Sequence, residues 1–482
     1  MNADNRMQES SVERLYAERL NRYVTAMRNE KPDRVPIRLF AAEFAAKYAG
    51  YTCQEVTHDY QKAFAAVRKC AADFDWDATV GNMVYVWTGL TQALGLKYYA
   101  IPGIDIPADT GFQYREPTEQ EAYMPPKDYD RLIEDPTDYL FTVWLPRVSN
   151  EVQPLGAAVT RRNNLALVKS GMAMLGYFMA LGEQGARLRR EFGMASAIAG
   201  ILKAPLDIIA DKLRGYVGLS ADLVERPEKV LAACHALAPH LLHVALSGAD
   251  PSRLIPVALW MHRGCVPFVS HEQFRTFYWP TLKPIIENIW AHGHQTLFYA
   301  EGDWTAHLDS FAELPERSII YHVDRADVFE THRALGRKFC LSGGISNYLL
   351  AYGSPSEVRS RCREVLDGVG QDGGYIMDAS AILQNDACIE NVRTMTEFVR
   401  EYGVYSDTPS SEPPAPAAEG CVRLAASDHP QTTGPRPGVC IPWEEKMAEL
   451  PPAASGHALI RQIWEDIDSL AYTFIWHCLV SF

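Results

Sequence analysis

The chain has 482 residues, of which 47% are hydrophobic and 22% charged, a composition typical of a globular protein with a sizeable core. The 60 acidic and 46 basic side chains give a formal net charge of −14, and the absence of a basic run argues against nucleic acid as a partner. The polar N-terminus and the lack of any run of ~18–20 apolar residues predict neither a signal peptide nor a membrane span. The 10 cysteines are therefore expected to be reduced thiols in the cytoplasm.

The N-terminal part of the chain predicts helices and short strands around a long irregular segment. A helix is expected at about Glu13–Arg28, a strand at Ile37–Ala42 and a second short strand at Trp76–Val80. The region Tyr85–Pro146 is rich in aromatic residues and prolines, so we expect an elaboration over one face of the fold. Helical periodicity returns over Asn164–Phe192.

The second half of the chain alternates between short apolar runs and helical patterns. The runs are Leu254–His262, Gln295–Gly302, Ser318–Val323, Phe339–Ile345 and Gly374–Ala379. This alternation predicts parallel βαβ units, and with two or three earlier strands they would close an α/β barrel of the (β/α)8 type. An open doubly wound sheet is the alternative, disfavoured because no G-x-G-x-x-G opens a helix after the first strand.

The composition changes after residue 405, where the predicted barrel domain, 1–405, ends. Residues 406–454 are rich in proline, serine and alanine, and we expect a flexible linker. Residues 455–482 are predicted to form an amphipathic helix. Its apolar face comprises Leu459, Ile463, Ile467, Leu470 and Phe474. We interpret it as docking on the barrel or on a neighbouring subunit, so a homo-oligomer is one expectation.

Six stretches, in this order along the chain, resemble the uroporphyrinogen decarboxylase superfamily. They are KPDRVPI (31–37), APLDIIADKLRG (204–215), MHRGCVPFVSHEQFRTFYWPTLKP (261–284), FYAEGDW (298–304), LSGGISNYLLAYGSPSEV (341–358) and GQDGGYIMDASA (370–381). Each is weakly specific alone, whereas the ordered set is specific for the superfamily. The resemblance implies a (β/α)8 barrel, in agreement with the alternation of strands and helices.

Two chemistries of this superfamily fit the sequence poorly. The decarboxylase itself has an arginine-rich N-terminal stretch for the carboxylates of its porphyrinogen, whereas the matching segment here, IRLFAAEFAAKYAG, has Arg38 alone. The zinc enzymes that methylate thiols carry His-x-Cys at the end of strand five and another Cys near strand eight. This sequence has Tyr299-Ala300-Glu301 and Asp378-Ala379-Ser380 at those places, which argues against a soft zinc site.

The resemblance is strongest to the methyl-donor branch, whose enzymes move a methyl group from a donor such as an aryl methyl ether to a Co(I) corrinoid. It implies a corrinoid-dependent methyltransferase that acts in O-demethylation on a small donor, a methoxylated aromatic being the favoured class. The chain lacks the D-x-H-x-x-G motif of corrinoid proteins, so the corrinoid is expected on a separate partner protein. A divergent decarboxylase and a non-catalytic binding protein on the same barrel are the alternatives.

In such a barrel, catalytic side chains are expected at the C-terminal ends of strands. His262, Glu301 and Asp324 end three predicted strands, and we expect them to be catalytic. An ether oxygen leaves only if it is protonated or polarised by a Lewis acid. In one arrangement Glu301, with a pKa raised by burial, protonates it; in the other His262 and Glu301 bind Zn²⁺, with Asp324 as third ligand. The structural alternatives are loop orientation for His262 and an ion pair for Asp324.

Four more residues are candidates for contact with the substrate: Tyr299, Asp378, Tyr85 and Trp87. The three aromatic side chains would line a pocket for an aromatic ring, the alternative being that they pack in the core. Asp378 ends the last predicted strand, and an ion pair is the alternative to a substrate contact.

Overall fold

The computed structural model describes residues 3–82, 88–405, 436–451 and 455–480. Its strands are short, and most of their residues are buried. They are β1 Arg38–Leu39, β2 Ala78–Thr79, β3 Tyr99–Ala100, β4 Gln113–Tyr114, β5 Ala195–Ser196, β6 Ile201–Lys203, β7 Val257–Met261, β8 Thr296–Ala300, β9 Ile319–Val323, β10 Cys340–Gly343 and β11 Tyr375–Ile376.

All strands except the β3–β4 hairpin form one parallel barrel. Strands β1, β2 and β5 pair in that order, and β6 to β11 pair in chain order. Strands β5 and β6 follow each other directly within residues 195–203 and are the two halves of one barrel strand. The ring closes where Ile37 bridges in parallel to Met377, because this joins β1 to β11. The eight-stranded (β/α)8 prediction is confirmed.

Helices follow the barrel strands, and several begin with a side-chain cap, as at Thr160 and Ser354. They are α1 Ala3–Met27, α2 Glu43–Ala49, α3 Cys53–His58, α4 Tyr60–Asp73, α5 Thr88–Leu94, α6 Tyr129–Glu134, α7 Pro136–Tyr139, α8 Leu145–Val148, α9 Arg161–Phe192, α10 Pro205–Ile208, α11 Tyr216–Glu225, α12 Pro227–Ser247, α13 His271–Gln273, α14 Trp279–Ala291, α15 Leu308–Phe311, α16 Val328–Leu335, α17 Asn347–Tyr352, α18 Pro355–Val365, α19 Ile389–Tyr402, α20 Trp443–Ala448 and α21 His457–Val480. Two of them, α9 and α12, are long and apolar enough to cross a bilayer. This criterion uses only length and composition, and buried core helices also meet it.

The core has an inner and an outer part. Alternate strand residues such as Leu297, Tyr299 and Ile320 fill the barrel, and the others pack against the surrounding helices. Helix α1 covers the N-terminal ends of the strands, where the buried Tyr23 hydroxyl donates to the carbonyl of Ala197. The opposite end, where the strands terminate, is the mouth. The elaboration between β2 and β5, with α5 to α8 and the β3–β4 hairpin, is more regular than the sequence predicted.

The C-terminal helix α21 has two different halves. Its second half joins the outer core, where Tyr472 and Trp476 are buried. Its first half leaves the predicted apolar face more than half exposed from Leu459 to Leu470. The predicted linker lies mostly outside the described residues; its described part, 436–451, contains the short helix α20, so this stretch is structured rather than extended.

Candidate active site

The alternation of side chains along β8 determines where Glu301 lies. Leu297 and Tyr299 are in the inner core, whereas Phe298 packs in the outer core. Because successive strand residues point to opposite faces, Glu301 continues the inward series and lies at the mouth. Its side chain is about one-third exposed (35%).

His262 and Asp324 take the equivalent positions on the neighbouring strands. The registers of β7, β8 and β9 align the last residues of these strands, so the residues that follow them lie side by side. Nδ1 of His262 is 3.9 Å from Oε2 of Glu301. The backbone N–H of Gly302 donates to Oδ2 of Asp324 at 2.8 Å. The structure thus brings the three predicted catalytic residues together at the mouth.

Two aspartates that the sequence did not single out hold His262 in place. Asp207 lies in α10, and Asp211 lies in the π-helical turn that continues it. Nε2 of His262 is 3.1 Å from the carboxylate of Asp211. The backbone N–H groups of His262 and Arg263 donate to Oδ1 of Asp207, whose other oxygen accepts from the Tyr278 hydroxyl. The imidazole is therefore oriented, with Nδ1 facing Glu301.

Asp211 also binds two cationic side chains. Nζ of Lys203, at the end of β6, is 3.2 Å from Oδ2 of Asp211, and Nε of Arg263 donates to its Oδ1 at 2.9 Å. Burial alone would raise the pKa of Asp211, but His262, Lys203 and Arg263 hold it well below the ordinary value. Asp211 is therefore a fixed negative charge beneath the imidazole.

The two facing groups at the mouth both have raised pKa values. Burial raises the pKa of Glu301, and it outweighs the neighbouring His262, which lowers it. For His262, burial lowers the pKa, but Asp211, Asp207 and Glu301 together raise it above the ordinary value. A carboxyl group with a raised pKa that faces an imidazole is an arrangement suited to general acid catalysis on a leaving group.

An aromatic layer forms the floor beneath these polar groups. The rings of Trp260 and Tyr299 are 4.2 Å apart, and Phe40 meets Tyr299 edge-on at 5.0 Å. The imidazole of His322 stacks on Tyr299 at 4.1 Å. Trp260 is 9% exposed, whereas Tyr299 has no exposed surface. Tyr299 therefore supports the floor from within. It packs in the core, which was the alternative to the predicted role of lining an open pocket.

Asp378 is buried below the mouth. Its carboxylate pairs with Arg38 of β1 at 2.8 Å, and both side chains are buried. Burial raises the pKa of Asp378 to about 7, although Arg38 and the backbone N–H of Ala379 hold it down. Asp378 thus forms an ion pair, the alternative to the predicted substrate contact. Tyr85 and Trp87 lie outside the described residues.

The donor groups at the mouth do not fit a zinc site. Within residues 3–82, 88–405, 436–451 and 455–480, no group of three His, Cys, Asp or Glu is placed to hold a metal. Asp211 engages Nε2 of His262, and Gly302 engages Asp324. His262 and Glu301 face each other at 3.9 Å, whereas catalytic zinc takes three protein ligands.

A cavity of about 600 Å³ opens beside Asp324. Asp324 lines it together with Arg325, Ser346, Arg361 and Ser380, so it lies at the ends of β9 and β10 and against α18. Its volume is in the usual range for a small-molecule site.

Residues 158–402, just over half of the chain, match the family described as Uroporphyrinogen decarboxylase (URO-D). With its barrel and mouth, the protein belongs to this family. Among solved structures it is similar to a methyltransferase from Methanosarcina mazei, with 15% identity over 79% of this chain and 98% of the other, at a TM-score of 0.51. At this identity the likeness shows a common fold. No curated protein matches the chain.

Proposed function

We propose that the protein is a methyltransferase that moves a methyl group from a small methylated donor, a methoxylated aromatic being the favoured class, to a corrinoid on a partner protein. The proposal depends on one observation: the Glu301 carboxyl, whose pKa is raised by burial, faces His262 at the mouth above an aromatic floor. The family and the fold shared with a methyltransferase support the reaction class.

The residues at the mouth would act on the departing oxygen. The partner's corrinoid supplies the nucleophile that accepts the methyl group. As the bond between the methyl carbon and the oxygen breaks, Glu301 gives its proton to that oxygen, so the aromatic product leaves as a neutral phenol. Asp211, Asp207 and Glu301 raise the pKa of His262, which favours the imidazolium, and that charge would stabilise the negative charge that develops on the oxygen. Water at the mouth then reprotonates Glu301.

The aromatic floor favours a donor that carries a ring. Trp260 is buried but keeps 9% of its surface exposed, and its indole is the part of the floor against which such a ring can pack. The nine cysteines of the described residues are all free thiols, which supports a reducing compartment, and we propose the cytoplasm.

Porphyrinogen decarboxylation is disfavoured by the charges of the site. Arg38, the arginine of the matching segment, is buried against Asp378 and cannot reach a substrate carboxylate. Lys203 and Arg263 are engaged by Asp211.

The direct test mixes the purified protein with a Co(I) corrinoid protein and a panel of methoxylated benzoates, methanol and methylamines. The absorption spectrum reports methylation of the corrinoid. We expect it with at least one methoxylated aromatic and not with the Glu301→Gln variant. If no donor gives the signal while porphyrinogen releases carbon dioxide, the decarboxylase alternative is correct.

A further inference from the structure

The cavity beside Asp324 lies at the C-terminal ends of the last three barrel strands. Arg325 follows β9, the sixth strand of the barrel, Ser346 follows β10, the seventh, and Ser380 follows β11, the eighth. Barrels of this type frequently bind a phosphate group at the loops after strands seven and eight. The position of the cavity is therefore one at which an anion site is common.

Arg325 brings an unpaired guanidinium to this cavity. Its side chain is exposed and makes no hydrogen bond or ion pair with any residue that the structure describes. Its backbone N–H donates to the carbonyl of Gly302 at 3.2 Å, so the main chain is anchored while the side chain stays available. A guanidinium in this state can bind an oxyanion through two parallel N–H donors.

Ser380 adds a hydroxyl that has no hydrogen-bond partner within the described residues. The residue lines the cavity although it is only 3% exposed. Its backbone is fixed, because its N–H donates to the carbonyl of Ile345 and its own carbonyl lies 2.9 Å from Nε2 of His322. A ligand in the cavity can therefore supply the hydrogen bond that the protein does not.

Arg361 of α18 holds a second guanidinium in the wall of the cavity. Its Nε donates to the carbonyl of Gly344 at 3.2 Å, and its Nη1 lies 3.4 Å from the carboxylate of Glu364. The guanidinium also packs over the ring of Phe329 at 5.2 Å. Because these contacts already order the side chain, binding a ligand through its remaining N–H groups costs little conformational entropy.

The carboxylates that line the cavity already have partners in the protein. Asp324 accepts from the backbone N–H of Gly302, Asp327 from that of Glu330, Glu357 from Ser354, and Glu364 pairs with Arg361. A cation in the cavity would compete with these partners, whereas an oxyanion would meet donors that are still available.

We propose that the cavity binds the phosphate group of a small molecule, with Arg325 and Arg361 as charged donors and the Ser380 hydroxyl as a neutral donor. A phosphate group fills only part of about 600 Å³, so the rest of the cavity has room for the organic part of the ligand. Binding needs neither a methyl donor nor a corrinoid, and its test is therefore independent of the proposed reaction.

Isothermal titration calorimetry of the full chain with inorganic phosphate, at constant ionic strength, tests the charged donors. We expect saturable binding at one site per chain, weakened ~10-fold or more in Arg325→Met because hydrogen bonds between charged groups are lost. Arg325→Lys keeps the charge and should retain more of the affinity. The matched control is Arg333→Met, which changes an exposed arginine of α16 outside the cavity and should leave binding as in the parent. No saturable binding by the parent, or an equal loss in Arg333→Met, would overturn the proposal.

Ser380→Ala separates binding from stability. Because the hydroxyl has no partner among the described residues, its removal should leave the thermal midpoint of the phosphate-free protein unchanged. The rise of the midpoint on addition of phosphate should shrink, since that rise follows the affinity. Thermal unfolding with and without phosphate measures both effects. A lower midpoint without phosphate, combined with an undiminished rise, would make the hydroxyl structural and contradict its role as a donor.

Benzoate serves as a comparison for the chemistry of the anion. It carries one carboxylate, so it should bind more weakly than phosphate and should compete with it for the same site. If benzoate binds more tightly and its affinity depends on Arg325, the cavity is a carboxylate site and the assignment to phosphate is wrong.

Discussion

At the scale of single residues, Glu301 is the group whose proton the proposed reaction requires. Glu301→Gln keeps the shape but cannot donate an acidic proton, so methyl transfer should fall ~10²-fold or more. Its side chain is about one-third exposed (35%), so the thermal midpoint should barely change. Initial rates measure the first effect and thermal unfolding the second, with the surface variant Glu330→Gln as control. Normal turnover by Glu301→Gln would make this carboxylate structural.

The raised pKa of Glu301 determines how the rate of methyl transfer should depend on pH. Because burial raises the pKa of Glu301, the acid form persists to higher pH than in an ordinary glutamate. The rate of methyl transfer should fall as pH rises through this raised pKa. A rate profile measured from acidic to alkaline pH checks the sign, and a rate that rises with pH instead would point to a general base.

Glu43 should make stability depend on pH. It is buried, Oε2 has no hydrogen-bond partner in the described structure, and burial raises its pKa to about 7. Between ~4.3, the value of an unfolded glutamate, and this pKa the folded state alone holds the proton. The free energy of unfolding should therefore fall by roughly 4 kcal/mol as pH rises through this window.

The Glu43→Gln variant isolates this effect from other titrating groups. It is neutral at every pH, so it should be more stable than the parent at ~pH 8 and similar at ~pH 5. Urea unfolding at both pH values measures the difference. If the difference between variant and parent is the same at both pH values, Glu43 is ionised in the folded protein.

Some of the candidate site could be predicted from sequence because strand alternation is local. Alternate side chains of β7, β8 and β9 point into the barrel, and this alternation places His262, Glu301 and Asp324 at the mouth. Asp207 and Asp211 were missed because they reach His262 from a short helix more than 50 residues away in sequence. The signal was present, since both aspartates lie in the 204–215 stretch that carries the family resemblance.

At the scale of elements, α21 is the helix whose burial differs most from the expectation. The predicted contact face is the exposed face, because the buried residues belong to the second half, which is apolar nearly all round. There the Tyr472 hydroxyl lies 2.8 Å from Nδ1 of His240, and Trp476 stacks on the same imidazole at 4.7 Å. Periodicity shows which residues share a face but does not show what covers them.

Trp476→Ala should therefore destabilise the whole protein. Removing a fully buried indole typically costs ~3–5 kcal/mol, and here the hydrogen bond to Thr137 is lost as well. Ile463→Ala, on the exposed half of the same helix (62% exposed), should change stability by less than ~0.5 kcal/mol. Urea midpoints of both variants provide the comparison. If Trp476→Ala changes stability as little as Ile463→Ala, α21 is an accessory helix. Deletion of everything after Tyr405 should then leave a folded barrel.

At the scale of the whole molecule, the barrel was predictable where strands are apolar and regularly spaced, in the second half of the chain. Strands β5 and β6 were missed because their segment, 195–203, is rich in alanine and glycine and is interrupted. The closure of the ring could not be predicted either, because it pairs residues about 340 positions apart. Such pairings are determined by topology and not by local pattern.

The contacts that close the ring between β1 and β11 can be tested for their contribution to the stability of the whole barrel. Arg38 follows the bridge on β1, Asp378 follows β11, and their buried ion pair fastens the first strand to the last. Nη2 of Arg38 also donates to Oγ of Ser342 and lies 3.2 Å from Nδ1 of His322. Removing Arg38 alone therefore leaves a buried carboxylate and two further polar groups without this partner.

Arg38→Met should accordingly cost ~3–5 kcal/mol of unfolding free energy, because it leaves one partner of a buried pair without its counter-charge. The double variant Arg38→Met, Asp378→Leu should cost less than the sum of the two single changes, because neither charge is then left alone. Asp73→Asn provides the matched control, since it breaks the exposed pair between Lys69 and Asp73 and should cost ~1 kcal/mol or less. Urea unfolding of the four variants and the parent measures these costs. If Arg38→Met proves as mild as the control, the ion pair does not hold the barrel closed, and backbone pairing of Ile37 with Met377 is sufficient.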